Sequence, residues 1–301
     1  MKNNRIVVIG STNTDMVVKA QHLPVPGETI LGGTFLMNPG GKGANQAVAV
    51  ARLGGELMFV AKVGNDIFGR QTVEGFKNEG MDTGYIFTDL EHPSGVALIT
   101  VDENAENCIV VAPGANGTLS KDDIDRAASE IASAELLLVQ LEVPLETIEY
   151  AVQIAAENGV KVILNPAPAC PLPEGLFKHL YMLTPNETEA ALLTGLEVTD
   201  LESAKKAAQA LHEKGVDTVI ITMGSDGALI YQNGTFDVVE AMKVKAVDTT
   251  AAGDTFNGAL AVALSEEMPV LQAVKFASQA AAISVTRMGA QASVPYRSEI
   301  K

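Results

Sequence analysis

From Leu136 onward the chain alternates short apolar runs with amphipathic stretches, and this alternation constrains the fold more than any other feature of its 301 residues. Leu136–Leu141 reads as a buried strand. The helix after it opens at Pro144, where a missing N–H costs nothing, and stops near Asn158-Gly159. Lys161–Leu164 is the next strand, ending in Asn165-Pro166-Ala167-Pro168. Tyr181–Leu183 follows, ending in Thr184-Pro185-Asn186-Glu187. A helix over about Leu201–Lys214 leads to the strand Thr218–Thr222 and a Gly-rich turn at Gly224-Ser225-Asp226-Gly227. Two Ala-rich helices, beginning near Gly253 and near Pro269, close the chain. Strands that are apolar throughout must be covered on both faces, and parallel crossovers put helices there. The expectation is an α/β fold with a mostly parallel central sheet flanked by helices.

Two excursions interrupt the pattern. Met16–Met37 and Gly95–Val111 hold short alternating runs, such as Gly95-Val96-Ala97-Leu98-Ile99-Thr100-Val101, with no long helix between them. They read either as strands of a small separate sheet or as edge strands of the main one, and spacing leaves both open. In the first reading, residues 1–301 form one α/β domain with a β lid inserted from about 14–38 and 94–112. No Pro-, Gly- or Ser-rich linker divides the chain, and no internal repeat appears.

Composition narrows the function classes. Hydrophobic residues at 47% against 19% charged describe a globular chain. A formal net charge of −16 argues against a broad surface for nucleic acid or anionic lipid, but not against a local phosphate site. Met1-Lys2-Asn3-Asn4-Arg5 runs straight into Ile6-Val7-Val8-Ile9, too short an apolar run for a signal peptide. No charge-free apolar stretch reaches the roughly 18 residues of a membrane span. A soluble cytoplasmic protein is expected. Cys108 and Cys170 are far apart and suggest neither a disulfide framework nor a Cys-rich zinc site. His22, His92, His179 and His212 lack the His-Glu-x-x-His spacing of a zinc hydrolase and read mostly as surface residues. No Gly-x-Ser-x-Gly elbow supports serine hydrolase chemistry.

Polar residues collect where a parallel sheet binds ligands. Glu142, Asn165, Asn186 and Thr222 fall at or just past the carboxyl ends of predicted strands. In Asp248-Thr249-Thr250-Ala251-Ala252-Gly253-Asp254-Thr255-Phe256-Asn257-Gly258, small residues precede a helix start. Backbone N–H groups from Ala251 through Ala252 and Gly253 to Asp254 can therefore face an anion unpaired, aided by the helix dipole. Asp254 lies in the first turn, where it could take a proton from an incoming hydroxyl. Acidic residues favour first turns for the dipole alone, but a plain helix start needs no run of small residues.

Nearer the N-terminus, Gly10-Ser11-Thr12-Asn13-Thr14-Asp15 follows the first strand, and Pro39-Gly40-Gly41-Lys42-Gly43-Ala44-Asn45-Gln46 precedes a helix through about Leu53. Neither is a Rossmann or Walker fingerprint, which speaks against a nicotinamide dehydrogenase. The Gly pair lets main chain approach a small polar ligand, with Lys42 and Asn45 as donors and Asn13 and Asp15 suited to hydroxyl groups. A glycine turn with an Asx-turn is the plainer alternative. Asn186 and Glu189 read either as a helix capping box or as oxygen groups serving magnesium waters and phosphates. Thr222–Gly227 reads as a loop or a nucleotide contact.

Taken together, Gly40-Gly41-Lys42-Gly43-Ala44-Asn45 and Asp248–Asp254 resemble the two signature regions of the ribokinase/PfkB family of carbohydrate kinases. The intermediate motifs Gln140-Leu141-Glu142, Asn165-Pro166-Ala167-Pro168, Thr184-Pro185-Asn186-Glu187 and Gly289-Ala290-Gln291 come in family order, from about Arg5 to Ile300. The resemblance implies a three-layer fold with a small β lid that also tends to form a homodimer interface. It implies ATP-dependent phosphorylation of a sugar's terminal hydroxyl, ribose being favoured over 2-deoxyribose or another family substrate. A non-catalytic sugar-binding protein on the same fold is the reading from another class. Carried over by motif, the sugar would contact Asn13, Asp15, Gly41, Lys42, Asn45 and Glu142, with Asp254 as general base. Amides of Ala251, Ala252, Gly253 and Asp254 would form the anion hole. Asn186 and Glu189 would serve Mg2+ and the phosphates of ATP, and Thr222, Gly224, Ser225, Gly227 and Ser278 the nucleotide. K+ would sit beside the anion hole on Asp248, Thr250, Ser284, Arg287, Gly289 and Ser293, several through backbone oxygens. Much of the family has Gly at the position of Ala251. Because alanine resists positive φ, an ordinary right-handed geometry is expected there.

Overall fold

The computed structural model describes residues 4–104 and 106–300, so the Met1-Lys2-Asn3 start and Lys301 lie outside the described residues. The chain opens with β1 (Arg5–Ile9), leaves for β2 (Asn13–Lys19) and β3 (Thr34–Gly40), and returns through α1 (Lys42–Arg52) to β4 (Glu56–Gly64). After α2 (Ile67–Asn78) and β5 (Ile86–Asp89) it leaves again for β6 (Gly95–Val101) and β7 (Asn107–Ala112). A regular alternation follows: α3 (Lys121–Ser133), β8 (Leu136–Val139), α4 (Leu145–Glu157), β9 (Lys161–Leu164), the single turn α5 (Glu174–Phe177) and β10 (Met182–Leu183). Then come α6 (Glu187–Thr194), α7 (Leu201–Glu213), β11 (Thr218–Thr222), the hairpin β12 (Ala228–Gln232) and β13 (Thr235–Val239), α8 (Ala252–Ser265) and α9 (Val270–Ser284).

Nine strands form one sheet in the order β13-β12-β11-β10-β9-β8-β1-β4-β5, parallel except for the antiparallel pairings of β12. Pleating divides each central strand between two cores. Val7, Ile9, Leu137 and Val139 pack with Ile131, Ile148 and Leu211 of α3, α4 and α7. Ile6, Val8, Leu136 and Leu138 pack with Val48, Leu260 and Ala277 of α1, α8 and α9. The period-2 split explains why these strands read as unbroken apolar runs. The predicted strand from Leu136 ends at Val139, because Gln140 turns into a polar network and the Leu141 N–H goes to the Ala167 carbonyl.

The two excursions form a separate four-stranded sheet in the order β3-β2-β6-β7, so the edge-strand alternative is overturned. Its register pairs Asn13 with both Gly40 and Gly95, which roots the small sheet beside the end of β1. His212 departs from the surface reading: half-buried, it sets a ring nitrogen 2.7 Å from the Val216 carbonyl and its edge against Tyr231. No described helix is long and apolar enough to cross a membrane.

Candidate active site

Two helices meet at a glycine to make the site. Gly258 lies one turn after Asp254 on α8, and a Cβ there would come within 2.5 Å of the Ala49 Cβ and 2.7 Å of the Gln46 carbonyl on α1. Its absence lets the helices close up, and Asp254 reaches α1. Asn45 Nδ2 donates to Asp254 Oδ2 at 2.9 Å and Gln46 Nε2 to Oδ1 at 3.0 Å. Asp254 is buried, and Asn45 Oδ1 beside it is buried with no protein partner, an acceptor left open for a ligand's donor.

The start of α8 corrects two expectations. Ala251 is left-handed, φ 58° and ψ 18°, not right-handed. Thr249 to Ala252 closes as a turn, with the Ala252 N–H donating to the Thr249 carbonyl at 3.2 Å, and Ala251 holds the third position, which type II and type I′ turns place at positive φ. A non-glycine residue there costs about 1–2 kcal/mol. The same bond withdraws the Ala252 N–H from the expected anion donors. The N–H groups of Ala251, Gly253 and Asp254 have no protein acceptor among the described residues, so three of the four predicted donors stay open.

The hydroxyl-binding candidates gather around the root of the small sheet. Gly41 caps α1 at φ 90°, and a Cβ there would meet the Asn13 nitrogen and Thr12 Cα at 2.7 Å. Asn13 Oδ1 accepts from Asn116 Nδ2 at 2.8 Å, which leaves its own amide N–H groups facing outward from that bond. Glu142 Oε2 accepts from the Ser11 hydroxyl at 2.5 Å and from the Lys42 N–H at 3.0 Å, pinning the start of α1 to the end of β8. The Asp15 carboxylate accepts no protein hydrogen bond among the described residues. Burial first, then the charges of Glu142 and Asp254, push its carboxyl up to about 6. Burial works to depress the Lys42 ammonium, but Asp254, Glu142 and Glu189 outweigh it and hold it above the ordinary lysine range.

Asn186 and Glu189 form the capping box: Asn186 Oδ1 accepts from the Glu189 N–H at 2.8 Å, and Glu189 Oε2 accepts from the Asn186 N–H at 2.9 Å. One oxygen of Glu189 stays uncommitted, and burial raises its carboxyl, opposed by the Asn186 N–H and Lys42. Thr222 forms a parallel bridge with Asn186, so the turn beyond β11 adjoins the head of α6. That turn carries Gly224 and Gly227 at φ 52° and 97° and an exposed Ser225. Ser278 lies half-buried on α9 and has no direct bond to the turn.

The remaining candidates occupy two adjoining loops. Asp248 Oδ1 accepts from the Thr250 N–H and Oδ2 from the Gly289 N–H, both at 2.9 Å. Burial opposes its charge, but the Thr250 hydroxyl and these two N–H groups hold it below the usual carboxylate range. The Ser284 and Ser293 hydroxyls are spent on the carbonyls of Ala281 and Ala290, and the Arg287 guanidinium pairs with Glu299. With these side chains engaged inside the protein, backbone oxygens are what these loops hold open, in line with the expectation that several ligands would be backbone. The carbonyls of Thr250, Arg287, Gly289 and Ser293 carry no protein hydrogen bond among the described residues.

Sequence reasoning missed the residues that hold the site residues. Gln46 was legible as an amide beside Asn45 at the head of the apolar run of α1, and Gln140 as a polar end to an apolar strand. Ser11 lay inside a quoted motif. Asn116, in the loop after β7, carried no signal, yet it bonds Thr12 N–H, Thr12 carbonyl and Asn13.

The model of the pfkB family carbohydrate kinases matches residues 3–297. The chain is 47% identical over 294 residues to the ribokinase of Haemophilus influenzae, which covers 98% of this chain and 96% of that protein. It is 40% identical over 291 residues to the deoxyribokinase of Salmonella typhi, covering 96% and 95%. The structure of Arabidopsis thaliana ribokinase complexed with ribose and ATP is similar with a TM-score of 0.91 at 32% identity, covering 99% of this chain and 97% of that one. With nearly its whole length matched in sequence and in fold, the chain belongs to the pfkB family of carbohydrate kinases.

Proposed function

We propose that the chain transfers the γ-phosphoryl group of ATP to O5 of D-ribose, giving D-ribose 5-phosphate and ADP. One observation carries this reading: a buried carboxylate, Asp254, fixed on both oxygens and set in the same helical turn as open backbone donors. Asp254 takes the O5 proton as O5 bonds to the γ-phosphorus and the bond to the β-phosphate oxygen breaks. Charge on the moving phosphoryl oxygens faces the N–H groups of Ala251, Gly253 and Asp254, already oriented before reaction. Asn13, Asp15, Gly41, Lys42, Asn45 and Glu142 bind the sugar hydroxyls, and the 222–227 turn with Ser278 takes the nucleotide.

Mg2+ would be carried largely by water and phosphate, with the free oxygen of Glu189 and the head of α6 at Asn186 at its edge, oxygen groups that suit a hard cation. K+ fits the open carbonyls of Thr250, Arg287, Gly289 and Ser293 beside Asp248. When bound, the cations neutralise phosphate charge and hold the oxygens of these loops in place. The small sheet serves as lid and homodimer surface: by register Met37, Leu98 and Val110 share one face with Phe35 and Val18, and all five are exposed.

The test is coupled ADP release with a panel of pentoses and hexoses, with and without potassium. Ribose should give the highest kcat/KM. A higher value for 2-deoxyribose would transfer the assignment to the activity of the Salmonella typhi relative. Sugar binding with no ADP release at any potassium concentration would make the chain a non-catalytic sugar-binding protein.

A further inference from the structure

We infer that Gln46, Asn165, Thr184 and Asn257, braced by Gln140, form a closed hydrogen-bonded ring that positions Asp254 and the Gly253–Asp254 peptide as one unit; this rests on the phosphoryl transfer proposed above. The ring leaves Asp254 Oδ1 for Gln46 Nε2 at 3.0 Å, and the same nitrogen donates to Asn165 Oδ1 at 3.0 Å. Asn165 Nδ2 donates to the Thr184 carbonyl at 3.4 Å, and the Thr184 hydroxyl to Asn257 Oδ1 at 2.6 Å. Asn257 Nδ2 then donates to the Gly253 carbonyl at 2.8 Å. That carbonyl and the Asp254 N–H belong to one rigid peptide group, so the path returns to the residue it left. The base and an anion-hole donor are the two ends of the same loop.

The direction of every bond is determined. The Gly253 carbonyl can only accept, so Asn257 must turn Nδ2 to it and Oδ1 to Thr184, whose hydroxyl must then donate. The Asp254 carboxylate likewise claims Gln46 Nε2, which leaves Gln46 Oε1 to accept from Gln140 Nε2 at 2.5 Å. All five side chains are at most 7% exposed, so water has little access to the bonds among them; only the Gly253 end reaches an exposed residue. An asparagine bonding the carbonyl four residues back is ordinary in a helix. Closure through α1 and the ends of β9 and β10 is not. Gln140 Oε1 is left buried without a partner, a cost that an apolar residue would avoid if the network served packing alone.

Thr184 is the point to test, because its buried hydroxyl bonds Asn257 and the Leu164 carbonyl and none of the sugar or ATP candidates. In Thr184→Val, kcat should fall about tenfold while KM for ribose and for ATP stays within about twofold, and Thr184→Ser should restore kcat. In 15N-labelled protein, the Gln46 side-chain amide and Asp254 backbone amide signals should move in Thr184→Val and return in Thr184→Ser. An unchanged kcat, or parallel losses in both KM values and thermal stability, would overturn the positioning role. Unmoved Gln46 and Asp254 signals would overturn the ring itself. If the unmodified protein releases no ADP with any sugar, the proposed function fails, while the amide signals still decide whether the ring is real.

Discussion

Gly40 leaves the space that the Asp15 carboxylate fills: a Cβ on residue 40 would lie 2.1 Å from Asp15 Oδ2. The acid is thereby packed against main chain, without a protein donor and close enough to feel Glu142 and Asp254, which is why its carboxyl rises from 3.8 to about 6. Half-buried and without a protein donor, the carboxylate is open to a ligand's hydroxyl groups. Its folded-state value exceeds the unfolded one, so the folded state binds the extra proton between the two. Ionised Asp15 therefore lowers stability above about pH 6, and the penalty is relieved as pH falls toward 4.

Sugar binding should run the other way. Hydroxyl donors favour ionised Asp15, so affinity should be flat above about pH 6 and weaken by up to about tenfold per unit below it. Calorimetric Kd values between about pH 5 and 8 check this. Asp15→Asn should bind sugar weakly, flatten that dependence and melt higher than the parent at neutral pH. A pH-independent Kd in the parent would remove Asp15 from the pocket.

Glu142→Ala strips the acceptor from both the Ser11 hydroxyl and the Lys42 N–H. Ribose affinity should drop at least about tenfold, with a smaller change in KM for ATP. Unchanged apparent ribose affinity would exclude Glu142.

Ala251→Gly tests the strained turn. Relief of left-handed alanine, less the extra entropy of an unfolded glycine, should stabilise the protein by about 0.5–1 kcal/mol, a rise in Tm of about 1–4 °C. kcat should be retained. A lower Tm would mean that residue 251 is not held at positive φ.

Replacing potassium by sodium should lower kcat and leave ribose binding intact, because the carbonyl-lined loops meet the anion-hole turn and not the sugar. Indifference to the monovalent cation would count against the Thr250, Arg287, Gly289 and Ser293 oxygens as its ligands.

The fold was legible because its information is periodic. Leu136–Val139 and Lys161–Leu164 are apolar on both faces, and Pro144 and Pro269 mark helix starts, so strands and crossovers could be read locally. The small sheet was ambiguous because alternation says that a strand is half-covered, not which sheet it joins. Asp254, Asn45 and Glu142 announced themselves by motif. The geometry of Ala251 was misread because a local preference of about 1–2 kcal/mol yields to a turn that tertiary contacts impose. The roles of Asn116, Thr184 and Asn257 could not be read, although the last two lie inside motifs, because their meaning lies in partners distant along the chain, Asn116 in Thr12 and Asn13, Thr184 and Asn257 in each other.

The most direct measurement is single-turnover phosphoryl transfer by Asp254→Asn beside calorimetry of its ribose and ATP binding. The amide keeps the shape but cannot accept the O5 proton, so kcat should fall at least about 100-fold while both affinities stay close to the parent's. Transfer at the parental rate would contradict Asp254 as the base.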